Sequence, residues 1–177
     1  MQQGSRKIWA WATALACLAV IYGTLPVSAR FYNYLVKAVP FPLWLNTCAL
    51  FFVFVLVILF LKKVTRLGQE RTFAFILNAS IYLFLVLRTS KPDVKIHFIA
   101  YCLLGFLTAN ALAFDMNAKT AFAAACALVL LAGWGDELLQ ILAPNRAFEF
   151  RDVFMNGAAG GFGALFRSLA GKSGPLD

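Results

Sequence analysis

Residues 119–143, KTAFAAACALVLLAGWGDELLQILA, join an apolar run long enough to cross a bilayer to two adjacent carboxylates, Asp136 and Glu137. Crossing ~30 Å of hydrocarbon takes about 20 residues in a helix. The stretch therefore reads as a lipid-buried helix, and its acids are out of place there. A charge at the centre of such a helix costs roughly 2.5 to 3.5 kcal/mol on insertion scales, so it persists only with a partner or a task. At 1.5 Å per residue, acids about two turns before Pro144 would lie roughly 10 Å inside the helix end.

The rest of the chain agrees with a membrane reading. Of its 177 residues, 62% are hydrophobic, 15% aromatic and 14% charged. That is more apolar surface than a soluble domain of this length buries around one core. The expected fold is an all-α integral membrane protein, a polytopic bundle of about six transmembrane helices near 8–25, 43–61, 72–88, 96–114, 119–143 and 153–170. Leu50 to Leu61, an unbroken apolar run stopped by Lys62 and Lys63, marks the second most sharply. Between the first two spans, residues 30–42 mix Arg30, Asn33, Lys37, Pro40 and Pro42 with aromatics, which suits either a helix lying in the interface or a loop. Arg6, Lys7 and the small residues Val27, Ser28 and Ala29 resemble a signal peptide, but the apolar run from Ile8 to Leu25 is too long, so an uncleaved first helix is expected. With no repeat or linker visible, residues 1–177 read as a single membrane domain.

The formal net charge of +8 raises the question of nucleic acid. The basic residues, however, sit in short clusters between apolar runs, with no basic-aromatic module, so no nucleic-acid partner is expected. Such clusters set topology and touch anionic headgroups. An inside N-terminus places nine Lys and Arg in the cytoplasm and seven outside, with Lys62 to Arg71 as the strongest anchor. The expectation is a multi-pass protein of the cell membrane with both termini cytoplasmic. Cys17, Cys48, Cys102 and Cys126 lie in apolar runs without a C-x-x-C pair, so they read as small core residues.

In this topology three helix ends converge on the outer face. They carry Lys95 and His97, then Asp136, Glu137 and Gln140, then Asp152 and Asn156. The spacings are helical, so each set can form a polar stripe. Asp136 and Glu137 point about 100° apart and so call for different partners. Arg146, Arg151, Lys95 and Arg88 are the available cations, and Arg146 is favoured because its planar fork suits a carboxylate or a phosphate. His97, the sole histidine, reads as a general acid/base or as a helix-start residue bonded to a neighbour. No H-x-x-x-H spacing supports a metal site. Asp152 also suits a helix N-cap. Gly157 with Gly161, and Ala159 with Gly163, give small residues four apart, a packing pattern. Gly133 and Gly135 thin the fifth helix for either a neighbouring helix or a ligand.

Together these elements resemble the VanZ-like family, membrane proteins named for an accessory product of glycopeptide-resistance gene clusters. The resemblance is carried by Asp93, Lys95, His97, Tyr101 and Gly105, then Asp136-Glu137-Leu-Leu-Gln140, then Pro144-Asn145-Arg146, then Asp152, Asn156, Gly157 and Gly161, over residues 90–170. Where such proteins often have Gly between the Pro and the Arg, this chain has Asn145, which turns also tolerate. The resemblance implies one functional site at the outer face, with no established reaction and, for the named member, an association with low-level teicoplanin resistance. In that site His97, Glu137 and Asp152 would orient a ligand or transfer protons, while Lys95, Asp136, Gln140, Arg146 and Asn156 would bind it. The expected partners are membrane lipids, a lipid-linked envelope precursor or another membrane protein. A non-catalytic scaffold with a structural polar network is the competing reading. A transporter is disfavoured, since the polar groups collect near one face and show no repeat symmetry.

Overall fold

The structure, a computed structural model, describes residues 2–38, 47, 50, 51, 54, 58, 68–89, 92–142 and 148–170. The described residues are helical with short connections and no strand. Five continuous helices follow in order: α1 (Gln2–Ala38), α2 (Gln69–Arg88), α3 (Pro92–Leu112), α4 (Ala118–Gln140) and α5 (Phe150–Ala170). Of the expected second span only Thr47, Leu50, Phe51, Phe54 and Ile58 are described; the rest of it lies outside the described residues.

Local chemistry explains the ends. Pro92, which lacks an N–H, opens α3 where that donor would go unused. Asn117 caps α4, its Oδ1 accepting the Thr120 N–H at 3.0 Å. Thr89 closes α2, donating its N–H to the Leu85 carbonyl at 3.1 Å. Two boundaries differ from the sequence expectation. α1 runs unbroken through Arg30 to Ala38, so the first half of the polar connection continues the first helix as neither a separate interfacial helix nor a loop. α4 stops at Gln140, where the chain turns through Ile141 and Leu142.

Among the described residues four stretches, Gln3–Thr24, Gln69–Arg88, Val94–Leu112 and Ala118–Gln140, are long and apolar enough to cross a membrane. Their outward faces carry large apolar side chains: Phe84 is 63% exposed and Leu131 60%. An outer surface of this kind suits hydrocarbon surroundings.

α5 departs from this pattern because it packs on α2, α3 and α4 at once. Its inward side holds Asn156, Ala159, Gly160, Gly163, Ala164 and Arg167, all buried. Small residues on that side let the neighbouring helices approach closely. At Gly105 a Cβ would collide with the Gly160 carbonyl, and at Gly163 with the Cys102 carbonyl, so α3 and α5 touch backbone to backbone. The tight pair is Gly160 with Gly163, whereas Gly161 meets only the Cys126 Sγ, at 3.9 Å from where a Cβ would stand. Of the two small pairs expected from spacing, Ala159 and Gly163 are buried, while Gly157 and Gly161 are half-buried, with Gly157 making room for Leu130 of α4. α2 joins through aromatic packing: Tyr82, fully buried, stacks on Phe98 at 5.5 Å and meets Phe162 edge-on at 5.8 Å.

Candidate functional site

The polar residues gather where α3 begins, α4 ends and α5 begins. Because α4 closes at Gln140, Asp136 sits four residues, or roughly 6 Å, from the helix end, shallower than the sequence suggested. It is nonetheless fully buried, and Glu137 is 1% exposed.

Asp136 Oδ2 meets His97 Nδ1 at 3.2 Å and accepts the Asn156 amide at 3.5 Å. Three helices thus meet at one carboxylate oxygen. His97 lies parallel to Tyr101, one helical turn on, with ring centres 6.1 Å apart. The Tyr101 hydroxyl donates to the Ala132 carbonyl at 3.4 Å, and Tyr22 of α1 donates to the same carbonyl at 2.7 Å. Gly135 makes the Tyr22 approach possible, since a Cβ there would stand 2.6 Å from the Tyr22 hydroxyl. A Cβ at Gly133 would stand 3.0 Å from that of Asn156. Both glycines therefore admit neighbouring helices, α1 and α5.

Glu137, turned about 100° from Asp136, has a different partner. Its Oε2 accepts the backbone N–H of Glu149 at 3.0 Å. The Glu149 carbonyl in turn accepts from Asp152 N at 2.9 Å, so Glu149 begins the first turn of α5. A carboxylate there complements the positive end of that helix and ties α4 to α5. Glu137 also lies within electrostatic range of Asp152, Asp136 and His97. One oxygen of each acid, Asp136 Oδ1 and Glu137 Oε1, is buried without a hydrogen-bond partner.

The other expected site residues are placed as follows. Gln140 is 7% exposed, on the same side of α4 as Asp136. Asp152, half-buried, lies in the first turn of α5. Lys95 is 4% exposed, but a two-residue separation turns it about 200° around α3 from His97. Arg88 and Arg151 are exposed. Arg146 lies outside the described residues. Tyr22 is the component that sequence reasoning missed, because no spacing ties a single tyrosine of the first helix to the later polar residues.

A second polar contact lies toward the opposite end. There Arg167 Nε donates to Asn110 Oδ1 at 2.8 Å. Lys7 pairs with Asp115 at 2.7 Å, which brings the start of α1 beside the α3–α4 turn, away from His97 and Asp136.

A carboxylate on one ring nitrogen of an imidazole fixes its orientation and leaves the other nitrogen to exchange protons. Acid/base chemistry and hydrogen-bonded ligand binding are therefore both open to this arrangement. Among the described residues, no group of three His, Cys, Asp or Glu side chains is placed to hold a metal ion. Comparison with known proteins finds no matching family model, curated protein or solved structure. What fold and site define is a class: a helical bundle with membrane-compatible faces and a buried acid–histidine cluster at one end.

Proposed function

We propose that the chain is a six-span membrane protein of the VanZ-like kind whose cluster around Asp136 binds an anionic lipid or lipid-linked envelope component at the outer face. The observation that carries this reading is the convergence of His97, Asp136 and Asn156 from three helices on a fully buried carboxylate. Polar groups inside a bundle of apolar helices are costly, and a task repays that cost. The Lys7–Asp115 contact sets the N-terminus at the end away from the cluster, so the sidedness of the one fixes that of the other. A cytoplasmic N-terminus would then leave the cluster outside. In this reading Arg146 attracts the anionic group, while His97, Asp136, Glu137, Gln140, Asp152 and Asn156 line its seat; Lys95, about 200° around α3 from His97, contributes only the field of its charge. An effect on glycopeptide sensitivity would follow from a change in the envelope component that is bound.

Mass spectrometry of lipids retained by the purified protein tests the reading. Arg146→Ala should strip a specific anionic lipid that the wild type keeps. An identical lipid profile in the two proteins would overturn headgroup capture.

The scaffold reading has its own supporting observation, the tie from Glu137 to the Glu149 N–H. It predicts that Glu137→Ala loses function only in proportion to lost thermal stability in detergent. Function lost at an unchanged melting temperature would defeat it.

A further inference from the structure

Two acceptors in the cluster are buried without a hydrogen-bond donor. Asp136 is fully buried and Glu137 is 1% exposed, yet Asp136 Oδ1 and Glu137 Oε1 receive no hydrogen bond. An unsatisfied buried acceptor costs about 1 to 3 kcal/mol, and more when charged, so the two are a standing demand for donors. A third acceptor follows from the histidine. Asp136 Oδ2, 3.2 Å from Nδ1, holds the ring proton on that nitrogen, which leaves Nε2 with its lone pair. The His97 side chain is 27% exposed while that of Asp136 is wholly buried, so His97 is the member a ligand meets first.

We infer that the ligand of this site is a hydroxyl-bearing headgroup, a polyol or sugar joined to its phosphate, recognised through donation to His97 Nε2 and to the carboxylate floor of Asp136 Oδ1 and Glu137 Oε1. The inference rests on the proposed function, and it adds the chemistry that separates one anionic lipid from another. The phosphate alone offers nothing to this floor: at neutral pH it is itself an acceptor and a negative charge. Discrimination between a ligand with the matching hydroxyl and one without it is large wherever the site's polar groups would otherwise go unpaired.

The test uses the full chain in neutral detergent, titrated with phosphatidylglycerol or with phosphatidylmethanol of the same acyl chains, binding being followed by tryptophan fluorescence. The two lipids carry the same charge, and only the first has free hydroxyls. Phosphatidylglycerol should bind roughly tenfold more tightly, the equivalent of one net hydrogen bond. Equal affinities would overturn the hydroxyl inference while leaving anionic headgroup capture standing. Binding of neither lipid would count against both. A second measurement stands apart from ligand binding. His97 is the only histidine, so 15N-histidine labelling gives one imidazole. With the imidazole neutral, the spectrum should show Nδ1 protonated and Nε2 bare, and Asp136→Asn should mix the tautomers. A protonated Nε2 in the wild type would remove the third acceptor and overturn the assignment.

Discussion

At the scale of single residues, the geometry distributes consequences unevenly between two neighbouring acids. Asp136→Ala takes the acceptor from both His97 and Asn156, and should lower stability by about 1 to 3 kcal/mol in detergent unfolding, with Asp136→Asn recovering part of the loss. Tyr22→Phe should cost less, about 0.5 to 1.5 kcal/mol, because it deletes one donor to the Ala132 carbonyl while Tyr101 remains. A larger loss for Tyr22→Phe than for Asp136→Ala would reverse this ranking. The divergence of Asp136 and Glu137 was legible in the sequence, because adjacent helical positions cannot face the same way. The pairing of Asp136 with His97 was not. No local spacing connects residues so far apart in the chain, and charge matching alone pointed to Arg146. Nor does composition announce that a tyrosine of the first helix serves the fourth.

At the scale of elements, the contact between α3 and α5 explains why the inward side of α5 is built from small residues. Its glycines let two backbones meet, and that makes their replacement diagnostic. Gly163→Ala would drive a Cβ into the Cys102 carbonyl, and backbone cannot yield as a flexible side chain can; a loss of about 1 to 3 kcal/mol is expected. Gly161→Ala, with nothing nearer than 3.9 Å, should leave the melting temperature unchanged or slightly raised. Equal effects at the two positions would mean that the helices do not meet along this face. The presence of a small-residue seam could be read from spacing, and Ala159 with Gly163 proved to lie on it. Which glycines actually touch depends on the rotation of α5 about its axis, and small residues on several faces left that open. The reach of α1 through Arg30 to Ala38 was hidden for a different reason: Arg30, Asn33 and Lys37 among aromatics suited an interfacial helix or a loop, and no apolar run marks a helix that continues through them.

At the scale of the whole molecule, the membrane character was the most legible property, because it depends on the length and composition of runs and on no particular contact. Among the described residues four stretches meet that criterion, and α5, which packs on three other helices through a side of small and polar residues, is not one of them. The two ends of the bundle differ in kind. One holds an exposed pair, Lys7 with Asp115, whose removal by Lys7→Ala should change stability by less than about 1 kcal/mol. The other holds the buried cluster. If the N-terminus is inside, a reporter fused after Asp115 is active in the cytoplasm and one fused after Pro144 is active outside; activity of the second only in the cytoplasm would invert the molecule. The central claim is that the buried cluster serves a ligand and does not merely hold the bundle together. Its most direct test is to measure lipid retention and melting temperature together on the wild type and on Glu137→Gln, which is nearly isosteric but neutral. The account predicts a changed population of bound anionic lipid with melting within a few degrees of the wild type. An unchanged lipid population accompanied by a large drop in melting temperature would contradict it, and would make the cluster a structural network.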